Sequence, residues 1–319
     1  MFETIGTVVP SGASVGFLKK LPRLPQRSEQ GHKGTYGQLL VIGGSVGMSG
    51  AVCLAGGGAL VAGAGLVRLA VPSPIMPTVA SFAPEYMTLA LPATEDGGLS
   101  ENGVPNLLAA LGGTGAIAIG PGLGRLSETG YFVRHILRQV ALPMVVDADA
   151  LFALSKQRAG TRGKARIGDR GARIFTPHPG EFARLTEREI PDAEPARIEA
   201  AREFVRTCRG RFTIDPEQPF ILILKGHRTV ITDGENVYVN ETGNAGLATG
   251  GTGDVLTGLL GALLAQQIEA MAASRLAVAL HGLAAECAAT CLPLESITAS
   301  DVIRYFPSAL NYLRKVQDE

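Results

Sequence analysis

Apolar residues recur along this chain with two different periods. Short unbroken runs at 39–42 (LLVI), 66–71 (LVRLAV), 116–119 (AIAI), 144–146 (MVV) and 221–224 (ILIL) read as strands covered on both faces. Between them, near 50–64, 103–111, 127–140 and 196–208, the spacing is helical. Strand and helix in alternation predict an α/β fold with a largely parallel sheet and helices on both sides. Residues 228–232 and 236–239 flank Asp233-Gly234, a hairpin signal, so an antiparallel extension is expected beside the strand at 221–224. Residues 1–30 carry Pro10, Pro22 and Pro25 without a sustained period and read as an extended lead-in.

Two segments change the picture locally. Residues 50–67 are uncharged and barely long enough to span a membrane, but six glycines and five alanines make them weakly apolar. A buried helix packed closely on a sheet fits better. Residues 158–173 carry six Arg or Lys and four Gly, and are expected to form an exposed basic loop.

Composition narrows the function classes. The 319 residues are 46% hydrophobic and 18% charged, and 29 basic side chains balance 29 acidic ones. With no net charge, nothing draws the chain as a whole to nucleic acid or to an anionic membrane, so any phosphate binding must be local. The four cysteines (Cys53, Cys208, Cys287 and Cys291) are sparse, as in a reducing compartment. Cys287 and Cys291, four apart near His281, lack the convergent ligands of a metal site and read as core residues. No targeting signal is visible, so the expected location is the cytoplasm.

The candidate chemistry sits at 244–260, NAGLATGGTGDVLTGLL. Val255, Leu256, Leu259, Leu260, Leu263 and Leu264 mark an amphipathic helix starting near Gly253. Its first N–H groups are unpaired and preceded by glycines, an arrangement that receives phosphate. Asp254 is the anomaly, since a carboxylate repels phosphate. Either it caps the helix, or it takes a proton from a hydroxyl aligned with the last phosphate.

Further clusters follow strand ends, where open α/β sheets place ligands. They are Gly43-Gly44-Ser45 with Ser49-Gly50-Ala51, Gly120-Pro121-Gly122-Leu123-Gly124, Asp147-Ala148-Asp149, Thr176-Pro177-His178-Pro179-Gly180-Glu181 after 173–175, and Lys225-Gly226-His227-Arg228-Thr229. The GGSVGMSG segment lacks the glycine spacing of a dinucleotide fold, and no acidic residue closes the next strand. A GxxxxGK[ST] phosphate loop is also missing.

Lys225-Gly226-x-x-Thr229 followed by Asn244 through Asp254 resembles the nucleotide site of the ribokinase-like superfamily. Together with YGQLLVIGGS-x-x-x-SGA, IGPGLG, DADAL and TPHPGEF, in this order from about Lys33 to Phe306, it is similar to the ADP-dependent NAD(P)H-hydrate dehydratases. The resemblance implies a ribokinase-like three-layer sandwich, a single domain over 31–319, and a stand-alone dehydratase without an epimerase domain. It implies repair of the S epimer of NADH or NADPH hydrated at the 6-position of the nicotinamide ring, with ADP as phosphoryl donor, AMP and phosphate as products, and Mg²⁺ as escort of the phosphates.

By the same matching, Asp254 is the general base, and Ala51, Gly122, His178 and Asp254 line the hydrated nucleotide. Lys225, Gly226, His227, Arg228 and Thr229 line AMP. Asn244, Ala245, Gly246, Leu247, Ala248, Thr249, Gly250, Gly251, Thr252 and Gly253 complete the nucleotide site, with the backbone of Ala245 to Gly253 holding the terminal phosphate. Glu181 and Asp147 are candidate partners of a Mg²⁺-bound water. A homotetramer, acting beside a separate NAD(P)H-hydrate epimerase, is the implied assembly. Two other readings share the Asp254 loop: a ribokinase-like kinase of a vitamin-precursor alcohol, and a non-catalytic nucleotide-sensing module.

Overall fold

The computed structural model describes residues 14–155, 171–190, 193–211 (209–211 as backbone only) and 218–319. In chain order these form α1 (Val15–Lys19), β1 (Gln38–Ile42), α2 (Ser49–Val61), β2 (Leu66–Pro72), α3 (Met76–Ala80), β3 (Tyr86–Leu91), α4 (Val104–Ala109), β4 (Ala116–Ile119), α5 (Ser127–Gln139) and β5 (Met144–Val146). There follow α6 (Ala148–Ser155), β6 (Arg173–Phe175), α7 (Pro179–Thr186), α8 (Glu194–Arg211), β7 (Phe220–Leu224), β8 (Val230–Thr232), β9 (Val237–Val239), α9 (Thr252–Ala265), α10 (Ala270–Ala289) and α11 (Ala299–Asp318).

All nine strands form one sheet, in the order β3-β2-β1-β4-β5-β6-β7-β8-β9. Pairing is parallel from β3 to β7 and antiparallel from β7 to β9, as the Asp233-Gly234 hairpin predicts. The chain runs outward from β1 through β2 to β3, then returns to place β4 on the other side of β1. The carboxyl ends of β1 and β4 are therefore a topological switch point, where adjacent loops part and leave a crevice.

Alternation along the strands makes the sandwich. In β1, Leu39 and Val41 face a core shared with α2, α9, α10 and α11, while Leu40 and Ile42 face a second core shared with α4 to α8. β7 divides in the same way, with Ile221 and Ile223 in the first core and Phe220, Leu222 and Leu224 in the second.

The glycine-rich stretch after β1 is explained by α2 and α9, which pack backbone to backbone. A Cβ on Gly58 would stand 2.5 Å from the carbonyl oxygen of Val255, and one on Gly258 would overlap that of Ala55. Residues 50–67 are thus split between α2 and β2, and no helix among the described residues is long and apolar enough to cross a membrane.

Three expectations are corrected. Part of the lead-in is helical: α1 places Leu18 at 0% exposure, and Leu18 and Leu21 join the α11 side of the core. Two leucines three apart supply the local period that the flanking prolines mask. Residues 158–170 of the basic stretch lie outside the described residues, but its last member, Arg173, is not exposed. It opens β6 fully buried, and its guanidinium donates to the carbonyl oxygens of Leu142 at 2.7 Å and Val140 at 2.5 Å. Cys287 is buried as a core residue, but Cys291 is exposed.

Candidate functional site

Four loops converge around the start of α9. Gly251, at φ +90°, caps this helix without any side-chain hydrogen bond, so its first N–H groups are offered outward. A residue with a Cβ is disfavoured in that left-handed conformation. Asp254 stands in the first turn and not at the cap, which removes the helix-cap reading of this residue.

The end of β5 anchors the arrangement. Asp147, 1% exposed, accepts the Lys225 ammonium at 2.8 Å and the Thr257 hydroxyl at 2.7 Å. It thereby ties β5, β7 and α9 together. Lys225 also lies 4.0 Å from Glu181. Burial disfavours the Lys225 cation, but Asp147 and then Glu181 outweigh it and hold the ammonium above its ordinary pKa.

Asp254 differs from its acidic neighbours. Asp147 is satisfied as described, Asp149 accepts the Gly124 N–H at 3.0 Å and Arg125 at 3.1 Å, and Glu181 accepts the His178 N–H at 2.9 Å. Asp254 has no hydrogen bond or ion pair among the described residues. Burial, with Asp147 next, pushes its carboxyl up to about 7 against the opposing pull of Lys225. A carboxylate with free lone pairs and a pKa near neutrality is suited to accept a proton.

On one side of Lys225 and Gly253 opens a cavity of about 550 Å³. Its wall includes Lys225, Gly226, His227, Arg228 and Thr229 from the β7–β8 turn, and Asn244, Ala245, Leu247, Ala248, Thr252 and Gly253 from the glycine loop. The turn is braced from behind. Arg197 donates to the carbonyl oxygens of His227 at 2.7 Å and Arg228 at 2.9 Å, and Arg228, at φ +54°, pairs with Glu194 at 2.6 Å.

Of the loop residues singled out from sequence, Gly246, Thr249, Gly250 and Gly251 do not line this cavity. Gly246 is buried beneath Ile297, while Thr249 and Gly250 are exposed. Conversely, Asn240, Thr242, Gly243, Leu256, Val278, His281 and Gly282 line it, and their sequence setting did not single them out. The Gly243 N–H donates to Glu286 of α10 at 2.7 Å, and Asn244 donates to the Ala285 carbonyl at 2.9 Å. α10 thus positions the loop, and no motif announces it.

Ala51 and Gly122 meet at the switch point. A Cβ on Gly122, at φ +63°, would stand 2.9 Å from the Ala51 Cβ and 2.6 Å from the Met48 carbonyl oxygen. Only glycine allows this approach between the β4 loop and the start of α2. Ser45 donates to the Gly122 carbonyl at 2.9 Å, and the Gly44 N–H to that of Pro121 at 2.8 Å. Leu54, three residues beyond Ala51, lies where a Cβ on Gly251 would come within 2.5 Å, so α2 joins this crevice to the α9 cap.

His178 caps α7. Its Nδ1 accepts the Gly180 N–H at 3.0 Å, its Nε2 lies 3.4 Å from Glu181, and its side chain is 55% exposed. It meets the remaining cluster through Glu181 and Lys225.

Comparison with known proteins gives the family of the chain. The profile of the NAD(P)H-hydrate dehydratase family matches residues 39–308. A bifunctional NAD(P)H-hydrate repair enzyme of Moorella thermoacetica is 41% identical over 295 residues, 92% of this chain and 53% of that protein. The chain therefore spans about half the length of such bifunctional relatives. An ADP-dependent (S)-NAD(P)H-hydrate dehydratase of Neisseria meningitidis is 38% identical over 264 residues, 82% of this chain and 80% of its own. Among solved structures, an ADP/ATP-dependent NAD(P)H-hydrate dehydratase of Bacillus subtilis, co-crystallised with ATP and Mg²⁺, superposes with a TM-score of 0.76 at 30% identity, covering 94% of this chain and 97% of that one. Matched by the family profile over 39–308 and by relatives above 30% identity, this chain belongs to the NAD(P)H-hydrate dehydratase family.

Proposed function

We propose that the chain dehydrates the S epimer of hydrated NADH and NADPH at the expense of ADP, releasing AMP and phosphate. The observation that carries this reading is Asp254, an unpartnered carboxylate with a pKa of about 7, one residue beyond Gly253 of the cavity wall. ADP would lie in the cavity beside Lys225, with its terminal phosphate toward the N–H groups of α9, and the hydrated ring beside Ala51 and Gly122. The names of the Neisseria and Bacillus relatives support this assignment of substrates.

The chemistry follows from that placement. Asp254 takes the proton of the ring hydroxyl, and the hydroxyl oxygen attacks the β-phosphorus of ADP. The bond from that phosphorus to the bridging oxygen breaks, and AMP leaves with the electron pair. The nitrogen lone pair of the ring then expels phosphate by breaking the carbon–oxygen bond, and the neighbouring carbon gives a proton to the departing phosphate, which restores the double bond. The backbone N–H groups of α9 and the Lys225 ammonium stabilise the charge gathered on phosphate.

Mg²⁺ enters this reading as a companion of ADP. Among the described residues no three His, Cys, Asp or Glu side chains cluster as a metal cage, and Asp147 and Glu181 both accept bonds from within the protein. An ion that arrives on the phosphates and keeps most of its waters fits this donor set. It would neutralise phosphate charge.

In the decisive experiment, the ring hydroxyl is labelled with ¹⁸O and the protein is incubated with the hydrate and ADP. NAD(P)H, AMP and phosphate should appear in equal amounts, with the label in phosphate. A phosphate ester that persists would sink this reading and indicate a kinase. The same reading takes the chain as a cytoplasmic homotetramer working beside a separate epimerase. The bifunctional build of its longer relatives supports a partner activity, and light scattering tests the assembly.

A further inference from the structure

The cavity beside Lys225 contains a titratable side chain that the phosphoryl transfer does not use. His281 of α10 is 8% exposed and lines the cavity with Val278 and Gly282. Its Nε2 lies 2.9 Å from the carbonyl oxygen of Thr252. A carbonyl can only accept, so this nitrogen carries the proton and Nδ1 is left as a bare lone pair. Nδ1 has no hydrogen-bond partner among the described residues, yet it is not one of the side-chain atoms sealed from solvent. Its access is to the cavity that the ring lines.

The charge of the ring decides what Nδ1 can bind. Burial, opposed by the Thr252 bond and aided by Lys225, lowers the imidazole pKa to about 4, so the ring is neutral at neutral pH. A neutral acceptor repels phosphate oxygens, which carry no protons to donate. The nucleoside portion of ADP does carry donors: its ribose hydroxyls and the exocyclic amine of adenine.

We infer that His281 is a specificity-determining residue whose Nδ1 accepts a hydrogen bond from a donor group on the nucleoside of the phosphoryl donor. The inference rests on the reading of this cavity as the ADP site. Thr252 opens α9, so the ring that reads the nucleoside is tied to the helix end that receives the terminal phosphate. A nucleotide lacking the donor would leave a buried acceptor unpaired, and discrimination follows from that loss.

Calorimetry with ADP, 2′-deoxy-ADP, 3′-deoxy-ADP and inosine diphosphate tests this, on the native protein and on His281→Phe, which keeps a planar ring without its nitrogens. One analogue should bind the native protein about tenfold more weakly than ADP, and that ratio should fall toward one in the variant. The analogue that responds distinguishes hydroxyl from amine. Each ratio compares two ligands on the same protein, so a general loosening of α9 cancels. Ratios unchanged by His281→Phe overturn the inference.

Should the variant fail to fold, ¹⁵N NMR of the native protein replaces it. The His281 Nδ1 resonance should move on saturation with ADP and stay in place with inorganic phosphate; a resonance indifferent to ADP overturns the inference. Failure of ADP to bind the native protein at all overturns the cavity reading, and this inference with it.

Discussion

Asp147 accepts the hydroxyl of Thr257, 110 positions further along the chain, at 2.7 Å, and this bond fastens the end of β5 to the helix that carries Asp254. The other oxygen of Asp147 is held by Lys225. Asp147 is therefore the pin of the site, and its negative charge is one reason the Asp254 carboxyl stands near neutrality. Asp147→Asn should lower the melting temperature, because a half-buried Lys225 loses its partner, a change costing about 3–5 kcal/mol. The acid limb of kcat/KM should move below pH 7 in the same variant, since a like charge next to the base is gone. An unmoved limb would mean that the limb does not report Asp254.

Lys225→Gln should shift that limb the opposite way, above pH 7, because the ammonium favours the Asp254 carboxylate. ADP affinity should drop by roughly tenfold to a hundredfold, the loss expected for one charge-assisted hydrogen bond. A pH series of kcat/KM together with titration calorimetry reads both effects, and unchanged ADP affinity would place the phosphates elsewhere.

Asp254→Asn should reduce turnover by about 10²- to 10⁴-fold while ADP still binds. It also has a signature in stability. With its pKa raised from 3.8 to about 7, the native carboxyl keeps a proton that the unfolded chain has lost, and this stabilisation disappears as pH rises through 7. The asparagine variant lacks that decline, so its melting temperature relative to the native protein should climb between pH 5 and 8. A flat difference across that window would contradict the raised pKa.

Gly253→Val tests where phosphate meets the helix. A Cβ there stands 3.3 Å from the Lys225 ammonium nitrogen, at the cavity wall, and touches little else. ADP binding should weaken far more than the melting temperature falls. The reverse ranking would count against an anion site at this turn.

Gly258→Ala should destabilise the fold by at least about 1–3 kcal/mol, since its Cβ overlaps the Ala55 backbone and α2 must move away from α9. Because α2 carries Ala51 and α9 carries Asp254, the KM for the hydrated substrate should rise as well. Gly250→Ala is the control: nothing lies within 4 Å of its Cβ, so thermal melting should be unaffected.

Much of this arrangement is local and therefore legible in the residue order. An unbroken apolar run such as Phe220–Leu224 has no polar face to expose, so it is a strand covered on both sides wherever it lies. The glycines before Thr252 and the apolar period after it place a bare helix N-terminus beside Asp254 without reference to any other element. Asp233-Gly234 sets the β8–β9 turn for the same reason.

What the residue order leaves open depends on neighbours distant in sequence. β3 is half-exposed along most of its length, so its residues lack the strong pattern of an inner strand, and only pairing with β2 reveals it. Asp147 and Asp149 look alike in DADAL; one is sealed by Lys225 and Thr257, the other faces Gly124 and Arg125, and that difference is created by the packing of α9 and the β4 loop. His281 is one imidazole in an alanine-rich helix until α10 brings it against Thr252. The sequence alone determined most of the elements and the local form of the glycine loop, because both arise within a few residues. The tertiary structure decided which carboxylate is free, which is pinned and which histidine faces the cavity, because burial and pairing are properties of segments brought together from across the chain.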